Sequence, residues 1–111
     1  MKNFVQNGNI ITLSAPYART SGQGLLVGSI FGVAQTDAAL GASVESVIEG
    51  VCDLAKVSAQ AWTAGNLIYW DDSAKLTTTV STSNKLIGVA TAAAANPSST
   101  GRVRLNGAFV S

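Results

Sequence analysis

Leu67-Ile68-Tyr69-Trp70-Asp71-Asp72-Ser73-Ala74-Lys75-Leu76-Thr77-Thr78-Thr79-Val80 decides the fold class of this chain. Aromatic and β-branched residues, which suit a pleated surface, stand on both sides of a short polar stretch. The segment reads as a β-hairpin with its loop at residues 71–75, where the Asp71 carboxylate can accept bonds from nearby backbone amides. Downstream, Leu86-Ile87-Gly88-Val89-Ala90 reads as a further strand. In Arg102-Val103-Arg104-Leu105-Asn106-Gly107 the residues alternate, Val103 and Leu105 to one face and Arg102 and Arg104 to the other. Between these two strands, residues 91–101 hold four consecutive alanines and then Asn-Pro-Ser-Ser-Thr, a low-complexity loop.

Working back toward the N-terminus, the same punctuation recurs. Asn7-Gly8 is a turn signal between Phe4-Val5 and Ile10-Ile11, because both residues tolerate positive φ. Residues 10–14 read as a strand stopped by Pro16, and residues 15–24 as a surface loop without periodicity. Residues 25–27 and 30–34 are short apolar strands separated by Gly28-Ser29. Residues 36–41 are expected to form a single helical turn, with Thr36 or Asp37 as N-cap and Gly41 closing it. Over residues 44–54 the apolar side chains keep no single parity, so one strand is expected, either buried on both sides or bulged near Gly50; a helix is the competing reading, since Val44, Val47, Ile48 and Val51 fit its stripe. Residues 58–66 are turn-rich and should tuck Trp62 against the sheet. The whole is an all-β chain: an N-terminal arm at 1–8 and a single β domain at 9–111, with short helical turns.

Composition bounds the function. The chain has 111 residues, 47% hydrophobic and only 12% charged, with seven basic and six acidic residues, against a usual charged share of about a quarter. Disorder is excluded, since it requires few apolar residues and high net charge. A surface built of Ser, Thr, Asn, Gly and Ala suits a chain that works against a protein partner. Nucleic-acid binders carry clustered basic residues, whereas the densest cluster here is Arg102 with Arg104, so no nucleic acid is expected. No apolar run approaches the ~20 residues of a membrane-spanning helix, and Met1 to Gly8 lacks the apolar core of a signal peptide. Synthesis and folding in a host cytoplasm are the expectation.

The residues offer little chemistry. There is no histidine to activate a serine, and Ser-x-x-Lys does not occur. Gly22-Gln23-Gly24 is not followed by the residues of a phosphate-binding loop. The carboxylates are Asp37, Glu45, Glu49, Asp53, Asp71 and Asp72; Glu45, Glu49 and Asp53 alternate along one expected strand and read as a solvated or interface edge. Asp71-Asp72 lacks calcium-loop spacing and reads as a hairpin turn. Cys52 is the sole cysteine and reads as a small buried hydrophobe. No catalytic residue, metal, cofactor or small-molecule substrate is expected.

Glu49-Gly50-Val51, Tyr69-Trp70-Asp71-Asp72, Ile87-Gly88-Val89-Ala90 and Arg104-Leu105-Asn106-Gly107, in this order and within a chain of this length, resemble the capsid cement (head-decoration) proteins of tailed bacteriophages. The resemblance runs from Asn3-Phe4-Val5-Gln6 to Gly107. Two positions depart from it: Asn7 stands where many members carry proline, and Cys52 where an aromatic is common. The resemblance implies a small β-barrel or β-sandwich-like (β-tulip-type) domain with an extended arm. It further implies a virion protein on the outer surface of the phage head, bound to the major capsid protein as a homotrimer at three-fold positions and stabilising the expanded shell. On that reading Phe4, Val5 and Gln6 of the arm, with Tyr17 and Arg19 of the loop, face the capsid, and Trp62, Tyr69 and Trp70 form the seam between copies. Two alternatives stand beside it. One is a tail-tube or head–tail connector protein, which the short 71–75 loop disfavours; the other is a small cytoplasmic enzyme or accessory domain.

Overall fold

The computed structural model describes residues 8–107 and Val110; the arm residues Phe4, Val5 and Gln6 lie outside it. Two antiparallel sheets divide the chain near its middle. The first holds β1 (Ile10–Ser14), β2 (Gly24–Val27), β3 (Ile30–Ala34) and β4 (Ser43–Val47), in the order β1-β4-β3-β2. The second holds β5 (Glu49–Ala55), β6 (Leu67–Asp71), β7 (Leu76–Thr78), β8 (Lys85–Ala90) and β9 (Thr100–Asn106), in the order β5-β9-β8-β6-β7.

The second sheet curls until its two edges approach. Lys56 and Thr77 form a parallel bridge, the Val57 amide donates to the Thr77 carbonyl at 3.0 Å, and the Thr77 hydroxyl donates to the Ala55 carbonyl at 2.8 Å. Closure is a common way for a sheet to remove exposed edges; among the described residues it is made at the C-terminal end of β5.

Most of the expected strands are present, the 67–80 hairpin among them. Asp71 Oδ1 accepts from the amides of Ser73 and Ala74 at 3.0 and 3.1 Å. Two expectations are corrected. Residues 44–54 are not one strand: β4 ends at Val47, β5 begins at Glu49, and the chain changes sheets at Ile48. The mixed parity begins within β4, whose two faces are both apolar: Val44 packs in one cluster and Val47 against the other. Nor do residues 36–41 form a helical turn; no helix occurs among the described residues. Ala38 instead exchanges two 2.9 Å backbone bonds with Arg19, and the Ala42 amide closes a turn on the Ala39 carbonyl with Gly41 at φ +84°. A cap signal without four further helix-forming residues loses to a turn glycine.

The larger core cluster lies between the sheets. It joins Phe31 and Val33 to Leu54, Ile68, Trp70, Val103 and Leu105, with Trp62 entering from the 58–66 loop. The Phe31 and Trp70 rings meet at 5.0 Å with a 55° tilt, a favourable aromatic geometry. Trp62 lies over Gly101 so closely that a Cβ there would stand 2.2 Å from its ring. The smaller cluster, Ala15, Leu25, Ala34 and Val44, is packed within the first sheet's half.

Candidate functional site

The two halves are tied by a polar clasp that begins at Tyr17. Its hydroxyl donates to Asp72 Oδ1 at 2.6 Å and accepts from the Leu26 amide at 3.1 Å. The same carboxylate oxygen receives the Trp70 indole N–H at 2.9 Å. Two cations flank the phenol ring, the Arg19 guanidinium at 4.9 Å and the Lys75 ammonium at 4.2 Å from its centroid. Each is held in turn by backbone: Lys75 donates to the Asp72 carbonyl, and Arg19 donates to the carbonyls of Ala18 and Gly24 at 2.8 and 3.3 Å.

Electrostatics drive the two titratable groups of the clasp apart. Burial, reinforced by the neighbouring Asp72, pushes the Tyr17 phenol up to about 12. Burial alone would raise the Asp72 carboxyl, but the Tyr17 and Trp70 hydrogen bonds, with Lys75 and Arg19 nearby, hold it below the usual range. General acid–base groups work best when poised near the operating pH. These two are driven away from neutrality in opposite directions.

The other carboxylates do not converge. Glu45 lies in the first sheet, where it accepts the Thr12 hydroxyl. Asp53 lies in the second, bidentate with Arg102 at 2.9 and 3.3 Å, and that guanidinium lowers its pKa. Burial, with Asp53 adding to it, raises the half-buried Cys52 thiol, which is therefore less of a nucleophile than a free one. Among the described residues no group of three or more His, Cys, Asp or Glu could hold a metal.

Of the residues expected at the seam, Trp62 and Trp70 are 1% and 2% exposed and belong to the chain's own core; Tyr69 alone is part-exposed. Tyr17 and Arg19, expected on a capsid-facing loop, are brought together, but their rings and charges are spent on the clasp. Sequence reasoning missed Asp72 and Lys75 as their partners. It also missed Lys56, 3% exposed, whose ammonium donates to the carbonyls of Val57, Ser58, Ala95 and Ser98 at 2.9–3.5 Å. A two-residue acidic signal in a turn gives no hint of a partner 55 residues away.

One surface stands out. Val51, Arg104, Val89 and Leu67 are successive partners across β5, β9, β8 and β6, so their side chains share a face. Val51 and Leu67 are 55% and 51% exposed.

Among the described residues the buried polar groups serve the chain's own scaffold, and Val51 and Leu67 reach the surface at the two ends of a row that also holds Arg104 and Val89. The chain belongs to the phage cement protein family, whose model matches residues 5–105. No curated protein and no solved structure matches it. Membership makes the chain a structural protein associated with the phage capsid, in a family not known for enzymatic activity.

Proposed function

We propose that this chain binds the outer face of the assembled head, contacts the major capsid protein, and stabilises the expanded shell as a homotrimer at three-fold positions. The observation that carries the reading is the family match over nearly the whole domain. A cap that binds the mature subunit junction and not the immature one shifts the shell toward expansion by its differential affinity. Engagement of several capsid subunits by one trimer multiplies a modest contact.

The arm, residues 1–8, is the capsid-facing element on this reading. It runs into β1, an edge strand of the first sheet, and an extended segment of that kind can add to a partner's sheet through main-chain hydrogen bonds without needing charge. Tyr69 is the one residue of the expected seam left with exposed surface. No catalytic step is assigned to the chain.

Deleting residues 1–6 is expected to abolish binding to heads while the domain keeps its cooperative unfolding. Retained binding would overturn the arm's role. Copy number separates the cement role from a connector: hundreds per head support the first, a dozen or fewer the second.

A further inference from the structure

Four strands lie at sheet edges, β1 and β2 in the first sheet, β5 and β7 in the second. The chain occupies two of these edges itself. On β2 the outward Leu26 amide donates to the Tyr17 hydroxyl, and the outward Gly24 carbonyl accepts from Arg19. On β7 the Thr77 carbonyl accepts from Val57, just past the end of β5. The other two edges are open. Lys56 donates to the Ser99 carbonyl, so the alternation of an antiparallel ladder turns the backbone groups of Glu49, Val51 and Asp53 away from β9. Ile48 donating to Asn9, and Ala15 to Ala42, likewise turn those of Thr12 and Ser14 away from β4. Among the described residues no other strand pairs with either row, and all five residues are exposed.

We propose that β1 of a second copy adds antiparallel to the open half of β5, so that each chain of the homotrimer gives one edge and receives another. The two edges match in length, Ile10–Ser14 against residues 49–53. With Thr12 opposite Val51, Ser14 stands opposite Glu49 and Leu13 opposite Gly50. This register sets two β-branched side chains against each other and opposes no two charges, since β1 carries none. Charge disfavours β5 on β5: centred on Val51, that pairing puts Glu49 of each copy opposite Asp53 of the other. Pairing β1 on β1 carries no such penalty, but it is isologous and stops at two chains. Joining two different edges is heterologous, and a heterologous contact is what closes a ring.

The pairing covers Val51, which is 55% exposed on an edge that its two flanking carboxylates guard against copies of itself. It deepens the homotrimer of the proposed function and rests on that reading. The two fail separately, because a trimer with its seam elsewhere would leave the reading in place.

Directly opposed, hydrogen-bonded residues stand about 5.5 Å apart at Cα, within the ~4.4–6.8 Å that a disulfide spans. The test is oxidation of the full chain carrying Thr12→Cys, Val51→Cys and Cys52→Ala, free and on expanded heads, followed by electrophoresis without reductant. The expected result is bands of two and three chains and none larger, from the paired cysteines and from neither one alone. Adding Asp53→Pro removes an outward amide that the chain's own ladder does not use, and should abolish those bands; Asp53→Asn should keep them. If Asp53→Pro does not fold, the disulfide pattern decides alone. Bands from Thr12→Cys without its partner, which would mean β1 on β1, would overturn the inference. So would a ladder running past three chains, or bands that survive in folded Asp53→Pro. If an amine-reactive cross-linker joins three parent chains while the paired cysteines give no disulfide, the inference fails and the homotrimer stands. No trimer with either reagent overturns both.

Discussion

The Tyr17 hydroxyl and the Asp72 carboxylate meet at 2.6 Å across 55 residues of chain, joining the loop that precedes β2 to the hairpin of the second sheet. Tyr17→Phe removes that bond and leaves the Leu26 amide without its acceptor. The expected loss is about 1–2 kcal/mol of unfolding free energy, in the range for a hydrogen bond to a charged group that is partly exposed. Urea denaturation measures it; an unchanged midpoint would mean the clasp holds nothing.

The same pair sets two pH limits. The Tyr17 phenol is raised to about 12 in the folded chain against an ordinary value of 10.0. Its contribution is thus complete below pH 10 and lost as pH rises toward 12. Asp72 is lowered, so its contribution is present above the ordinary carboxylate range and lost as pH falls through the folded value. Stability measured from pH 8 to 12 should fall less steeply in Tyr17→Phe than in the parent; parallel curves would contradict the assignment.

Trp70→Ala distinguishes core from seam. A buried tryptophan in contact with Phe31 predicts a loss of about 3–5 kcal/mol, the usual cost of a large core truncation. A stable, folded monomer would instead place Trp70 at an interface. Gly101→Ala tests the same core from the other side, since its Cβ would overlap the Trp62 ring; overpacking of this kind costs about 1–3 kcal/mol.

Lys56→Met keeps most of the aliphatic stem and removes the ammonium from the four carbonyls it bridges. Buried acceptors left unpaired cost on the order of 1–3 kcal/mol. Thermal unfolding should show a lower midpoint, and protease cleavage should increase first within residues 95–98. An unchanged midpoint would mean that water replaces the ammonium without cost.

The strands were legible where one rule governed them. In β9 the alternation of Val103 and Leu105 with Arg102 and Arg104 reports a sheet with one face inside, and the Asp71 turn reports itself through short-range amide bonding. Residues 44–54 misled because Val44 and Val47 serve different clusters from opposite faces of β4, and two strands separated by the single residue Ile48 read as one run. Aromatics gave the opposite difficulty. Trp62 and Trp70 are as good at anchoring an interface as at filling a core, and only the packing around Gly101 and Phe31 decides between them. The clasp was invisible, since nothing local links Tyr17 to Asp72.

The central claim is that the chain caps mature heads, and co-sedimentation with heads of the phage that encodes it, isolated before and after expansion, tests it most directly. The account predicts saturable binding to expanded heads only, at three copies for each three-fold position. Equal binding to both forms, or binding to neither, would contradict it.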